Sequence, residues 1–116
     1  MKLIDEYVNN LEECKKKYGE NVFLLYRTRD YYEAFGLIIG PLYTYLACFS
    51  NTCGGLDILK TGMYIEGKEV LMSGFNHTDL EDNVQKLNNN GYTVVVYKQG
   101  DDANKRVEDC AFITTV

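Results

Sequence analysis

The sequence predicts an α/β protein of the α+β kind, in which helices flank one mixed β-sheet. Segments with helical periodicity alternate with short apolar runs along the chain, and a turn signal separates two of those runs. The composition, 46% hydrophobic and 25% charged, is typical of a globular domain. The length of 116 residues fits a single domain spanning 1–116, with one hydrophobic core.

The first two elements are predicted to be a helix and a central strand. Apolar residues recur at helical spacing over 2–18, and Gly19 is a natural helix stop. The run 22–26, Val-Phe-Leu-Leu-Tyr, is apolar on both sides of the pleat. Such a run is typical of a strand that is covered on both faces, so we expect it at the centre of the sheet.

The next part of the chain is predicted to contain an extended segment and a second helix. Residues 31–35 continue the chain as an extended or turn-like piece. Pro41 suits the first turn of a helix, which predicts a helix over about 41–49 after an irregular lead-in. Residues 50–55 are predicted to form a loop because they combine Ser, Asn, Thr and two Gly.

The second half is predicted to begin with a hairpin and then a capped helix. Glu66-Gly67 separates two strand-like runs, 58–65 and 68–72, which indicates a β-hairpin. Thr78 and Glu81 match the Thr-x-x-Glu capping box, and an apolar stripe of Leu80, Val84 and Leu87 follows.

The last predicted elements are strands. Gly91 is expected to end the preceding helix in a left-handed conformation. The run 92–97, Tyr-Thr-Val-Val-Val-Tyr, has the strongest strand propensity in the chain. Gly100-Asp101-Asp102 is predicted to turn, and 111–116 to form a final strand.

Charge and cysteine content argue against several functional classes. The net charge of −5 disfavours strong non-specific binding to nucleic acid, which needs a surplus of Lys and Arg. Four Cys without Cys-x2-Cys spacing and a single His predict no metal site, and no nucleophile is paired with a base, so we expect no enzyme and no cofactor. The sequence shows no signal peptide and no apolar run long enough for a membrane, which predicts a cytoplasmic protein with no membrane partner.

Two blocks of sequence resemble the N-terminal mismatch-recognition domain, domain I, of MutS-type DNA mismatch-repair proteins. The first is Val22–Phe35, similar to an apolar strand followed by Arg-x-Gly-Asp-Phe-Tyr-Glu-x-Phe. The second is Ser73–Glu81, and the similarity continues through Lys86-Leu87, Gly91 and 94–99. The resemblance covers the whole chain, which looks like a stand-alone copy of the kind carried on bacterial mobile elements.

The resemblance implies a binding site for mismatched, bulged or single-stranded DNA. By position, Tyr31 would be an aromatic wedge and Glu33 the carboxylate that contacts the base. Being two residues apart, they point the same way in an extended segment. Phosphate contacts would come from nearby basic side chains: Arg27, Arg29, Lys98, Lys105 and Arg106.

The chain departs from the family pattern at several positions. Arg29 replaces a family Gly, so its side chain either blocks close approach of the backbone to DNA or adds a phosphate contact. Tyr31 replaces Phe, which keeps the stacking surface but adds a hydroxyl. There is no Gly-x-x-x-x-Gly-Lys-Ser/Thr loop, so the chain is expected to have no ATPase.

Two alternatives remain open at this stage. Tyr31 and Glu33 are structural if the Tyr ring packs on the sheet and the Glu pairs with Arg27 or Arg29. The protein is also interpreted as an interaction module that self-associates as a homodimer, because its apolar segment cannot face one core entirely. The candidate interface comprises Leu37, Ile38, Ile39, Leu42, Tyr43, Tyr45 and Leu46.

Overall fold

A computed structural model describes residues 3–99 and 106–108, and in them it confirms the α+β fold class. The described elements, in chain order, are α1 (Leu3–Tyr18), β1 (Val22–Thr28), β2 (Tyr31–Leu37), α2 (Pro41–Thr52), β3 (Leu59–Ile65), β4 (Lys68–Asn76), a 3-10 turn (His77–Asp79), α3 (Leu80–Asn89), β5 (Thr93–Gln99) and β6 (Arg106–Glu108).

The described strands form one mixed sheet in the order β3-β4-β2-β1-β5-β6. The β1–β5 pair is parallel, and the other pairs are antiparallel. All of 22–26 is buried, which confirms the prediction of a central strand covered on both faces. Alternate side chains of β1 therefore enter two hydrophobic cores, one on each side of the sheet.

Each face of the sheet has its own helical cover. On the α1 face, α1 packs Ile4, Tyr7, Leu11 and Cys14 against the sheet. On the α2–α3 face, the two shorter helices supply Leu46, Phe49, Leu80 and Leu87. Gly36 lets α2 approach β2 closely, because a Cβ there would lie 2.4 Å from the carbonyl oxygen of Leu42.

Most predicted boundaries agree with the structure, with some corrections. The first helix, the central strand and the hairpin are confirmed. Glu66 and Gly67 both have positive φ, the combination that a type I′ hairpin turn requires. The second helix extends to Thr52, so half of the loop predicted over 50–55 is helical. Strand β4 is longer than expected and continues to Asn76.

The predicted capping box is wrong. The residue that caps α3 is Asp79, which makes no side-chain hydrogen bond to the helix. Asn76 instead caps the preceding 3-10 turn by accepting from the backbone N–H of Thr78 at 3.0 Å. The turn inserted before the helix moves Thr78 out of the N-cap position. The predictions for 100–102 and 111–116 lie outside the described residues.

Candidate nucleic-acid interface

An open groove lies on the α1 face, where α1 leaves part of the sheet uncovered. A helix is about 10 Å wide and strands are spaced about 4.8 Å apart, so one helix covers only a fraction of this sheet. The groove has a volume of about 650 Å³, within the usual range for small-ligand sites. It is lined by Tyr31, Glu33, Gly55, Leu56, Asp57, Leu59, Met72 and Gly74.

Three strands and one loop build this groove. Glu33 of β2 lies opposite Gly74 of β4, and Met72 of β4 lies opposite Leu59 of β3. The wall comes from the loop between α2 and β3. Leu56 of that loop packs against the core on the α2–α3 face and also lines the groove, so the loop passes around the edge of the sheet.

Tyr31 and Glu33 share this groove, as their two-residue spacing predicts. The Tyr31 side chain is 51% exposed, so it does not pack into the sheet as the structural alternative required. The Glu33 carboxylate accepts a hydrogen bond from the hydroxyl of Thr28, which lies opposite Tyr31 on β1. The bond holds one carboxylate oxygen in a defined place.

Gly74 shapes the groove floor beside Glu33. A Cβ at this position would lie 2.5 Å from the carbonyl oxygen of Tyr32 and 3.1 Å from Cγ of Glu33. Any side chain would therefore push β4 away from β2 or displace the Glu33 side chain. The glycine therefore lets β4 pack close beside Glu33, which is half-buried.

The groove is acidic. Glu33 and Asp57 contribute carboxylates, and none of the described residues that line the groove is Lys, Arg or His. Carboxylates that carry their charge accept hydrogen bonds and donate none. The polar side of this groove therefore suits a ligand that brings N–H groups or positive charge.

Arg27 is engaged within the protein. Its Nε donates to the carbonyl oxygen of Arg29 at 2.6 Å, and Nη1 donates to the hydroxyl of Tyr32 at 3.0 Å. The guanidinium also lies 5.0 Å from the centroid of the Tyr32 ring. Tyr32 belongs to the core on the α2–α3 face, so Arg27 lies across the sheet from the groove. It pairs with neither Tyr31 nor Glu33 there.

Arg29 occupies the two-residue turn between β1 and β2, next to Tyr31. Its φ is +50°, the left-handed region in which non-glycine residues are uncommon. Glycine adopts this region readily, so the Gly of the family pattern would fit this position without strain. The side chain is exposed, and its position beside Tyr31 suits the second of the two interpretations, an added phosphate contact.

Two of the remaining basic candidates, Lys98 and Arg106, lie near the same end of the sheet. Arg106 is half-buried: Nη1 donates to the carbonyl oxygen of Arg27 at 2.9 Å, and the guanidinium lies 4.5 Å from the Tyr26 ring centroid. Lys98 is exposed on β5. Lys105 lies outside the described residues. Arg106 thus links β6 to β1. Lys98 follows Tyr97 of the α1-face core, so it projects from the opposite face of the sheet, as Arg27 does. Only Arg29, among the described basic candidates, is exposed beside the groove.

The apolar candidates divide into buried and exposed sets. Leu46 is fully buried, and Leu37, Leu42 and Tyr45 are half-buried against the cores, so these four do not form a surface patch. Ile38, Ile39 and Tyr43 are 47%, 61% and 43% exposed. The exposed set lies where β2 leads into α2.

Sequence reasoning missed the other half of the groove. Asp57, Leu56, Leu59 and Met72 had no motif that linked them to Tyr31. Gly74 falls within the second block of resemblance, but only the register against Glu33 shows what its missing side chain does. Strand order is the information that the local sequence lacks.

No protein-family model and no curated protein matches the chain. Across 3–99 and 106–108, no helix combines the length and apolar character of a membrane span. Within that same part of the chain, no three His, Cys, Asp or Glu side chains converge as a metal site.

Proposed function

We propose that the groove holds an unpaired nucleic-acid base, and that the protein is a binding module for mismatched, bulged or single-stranded DNA. One observation carries the proposal. A half-exposed aromatic ring, Tyr31, and an oriented carboxylate, Glu33, line the same groove. An aromatic face stacks on a base with about 1–3 kcal/mol, and a mispaired base costs less to unstack than a paired one.

Charge supports a base-centred mode of binding. The net charge of −5 and the acidic groove oppose tight contact with the phosphate backbone. Affinity would then come mainly from the extruded base, and the module would discriminate against fully paired DNA. The resemblance to MutS domain I points the same way.

Fluorescence anisotropy at low salt tests this proposal with a matched duplex, a mismatched duplex and a single strand. Tyr31→Ala should weaken binding of the unpaired targets about tenfold, since stacking is lost. Tyr64→Ala is a matched control, because Tyr64 is 52% exposed but lies on β3 outside the groove. Equal binding by wild type and Tyr31→Ala, or no binding of any target, would overturn the proposal.

A second candidate function is self-association. The exposed set Ile38, Ile39 and Tyr43 favours it, since neighbouring exposed apolar side chains commonly mark protein contacts. Light scattering across a range of concentrations tests it, with Ile39→Ser as the disruptive variant. A homodimer that Ile39→Ser dissociates supports this function, and a monomer at every concentration contradicts it.

A further inference from the structure

The polar side chains of the groove are biased towards hydrogen-bond acceptance. Glu33 and Asp57 bring four carboxylate oxygens, and the described lining residues bring no Lys, Arg, His, Asn or Gln. The one additional polar side chain is the hydroxyl of Tyr31, which can donate or accept. A ligand must therefore supply most of the N–H groups itself.

The rest of the lining favours a flat, apolar ring. Leu56, Leu59 and Met72 form an aliphatic surface, and Tyr31 adds an aromatic one. A planar heterocycle can contact these side chains with its face while its edge reaches the carboxylates. Both features are satisfied together by a base that has donors side by side on one edge.

The Glu33 carboxylate is oriented for such an edge. The Thr28 hydroxyl occupies one of its lone pairs, and each carboxylate oxygen has two. Gly74 leaves the space beside Cγ of Glu33 without a side chain. With the Thr28 bond in place, each carboxylate oxygen keeps at least one lone pair for a ligand.

We infer that the groove selects guanine among the bases that it can receive, an inference that rests on the proposed function. The N1–H and N2–H groups of guanine are adjacent donors, which a single carboxylate accepts as a bidentate pair. Adenine and cytosine place a ring acceptor beside their amino group, and thymine places its one N–H between two carbonyls. In those bases, an acceptor faces a carboxylate oxygen and repels it.

The test uses duplexes of one sequence, with a single bulged nucleotide between A·T pairs and no other change. The bulge is G, A, C, T or inosine, which keeps the N1–H of guanine but lacks the 2-amino group. Anisotropy titrations should give a dissociation constant for bulged G that is about tenfold lower than for A, C and T, with inosine intermediate. Equal constants for all five would overturn the inference while leaving the proposed function intact.

Variants assign the preference to Glu33. Glu33→Gln replaces one acceptor with a donor, so the preference for G should fall to within about twofold. Glu12→Gln is the matched control, because it removes the same charge from an exposed position on α1. Retention of the full preference in Glu33→Gln would overturn the assignment, and circular dichroism of each variant verifies that the fold is intact.

Two further results distinguish guanine from a different ligand, one from the duplex titrations and one from a titration with an arginine-containing peptide. Failure of every bulged duplex to bind would overturn the inference, and failure of the mismatched duplex and the single strand as well would overturn the proposed function. If an arginine-containing peptide binds the groove and its binding requires Glu33, while the duplexes show no G preference, the groove recognises a cationic side chain of a protein partner and the guanine inference is wrong.

Discussion

The hydroxyl oxygens of Tyr7 and Tyr45 lie 2.7 Å apart, although the two residues belong to helices on opposite faces of the sheet. They meet where β1 and β2 diverge: those strands pair only at 26–28 with 31–33, so Leu24 has no partner on β2. The Leu24 N–H donates to the Tyr45 hydroxyl at 3.0 Å, and the Tyr7 hydroxyl donates to the Leu24 carbonyl at 2.7 Å.

This arrangement fixes the direction of every proton. Tyr7 uses its one proton on the Leu24 carbonyl, so Tyr45 must donate to Tyr7. The result is a closed ring of three hydrogen bonds, in which two side chains replace the missing backbone partner. Buried backbone groups need such partners, so the ring stabilises the gap in the sheet.

The first prediction concerns the stability of this ring. Tyr7→Phe leaves the Leu24 carbonyl and one hydroxyl unsatisfied in a buried place, so the free energy of unfolding should fall by about 1–3 kcal/mol. Urea denaturation measures the change. Tyr64→Phe, at an exposed position, should stay within about 0.5 kcal/mol of wild type.

The same variants test whether the ring acts as a unit. Because either substitution breaks it, the double variant Tyr7→Phe/Tyr45→Phe should lose less free energy than the sum of the single losses. Strictly additive losses would contradict a closed ring and would show that the two hydroxyls stabilise the protein independently.

The second prediction concerns alkaline pH. Burial raises the pKa of Tyr7 well above its usual value, and burial is also the largest cause of the raised pKa of Tyr45. In the unfolded chain, both tyrosines ionise near pH 10. Their contribution to stability is therefore complete below about pH 10 and is lost as pH rises towards the folded pKa.

Thermal melting between pH 8 and 12 measures this effect. Each tyrosine can contribute a slope of up to about 1.4 kcal/mol per pH unit, so the double variant Tyr7→Phe/Tyr45→Phe should show a shallower alkaline decline than wild type. Parallel declines for the two proteins would show that these hydroxyls do not govern alkaline unfolding.

The third prediction concerns the contact between α2 and β2. A Cβ at position 36 would lie 2.4 Å from the Leu42 carbonyl oxygen and 2.8 Å from Cβ of Leu46. Gly36→Ala must therefore displace the helix and should lower the free energy of unfolding by about 2 kcal/mol or more. Gly19→Ala is the control: it meets no atom within 4 Å but has a φ of +96°, so it should cost only about 1 kcal/mol.

The fourth prediction concerns the salt dependence of DNA binding. If Arg29 is the accessible phosphate contact beside the groove, a plot of the logarithm of the binding constant against the logarithm of the salt concentration should have a negative slope of magnitude about 1. Arg29→Ala should reduce that magnitude by about 0.9. Lys68→Ala, at the far end of β4, should leave the slope unchanged, and an unchanged slope for Arg29→Ala would contradict the assignment.

The fifth prediction concerns cysteine reactivity. Burial raises the pKa of Cys53 from 9.0 to about 12, with Lys86 acting weakly in the opposite direction. At pH 8 the Cys53 thiol is therefore almost entirely protonated, and the thiolate is the reactive form. Mass spectrometry after brief iodoacetamide treatment should find Cys53 unmodified in the folded protein and alkylated in urea. Rapid alkylation of native Cys53 would contradict its burial.

Most elements of this fold could be predicted from local patterns, but only part of the candidate site could. Helical spacing located α1, continuous apolar character located β1, and Glu66-Gly67 located the hairpin. These signals report on backbone conformation and burial within a few residues. The capping box failed because Asn76 offers a competing cap two residues earlier, a local choice that a short motif does not resolve.

By itself, the sequence determined the order of the helices and strands from α1 to β5, but it did not predict β6. It also determined that Tyr31 and Glu33 share one side, since alternate residues of a strand project the same way. Only the tertiary structure decided that Asp57 and Met72 join them and that Arg27 lies across the sheet. It also decided that two tyrosines close the gap beside Leu24. The physical reason is that strand order and register bring distant residues together, whereas periodicity acts only along the chain.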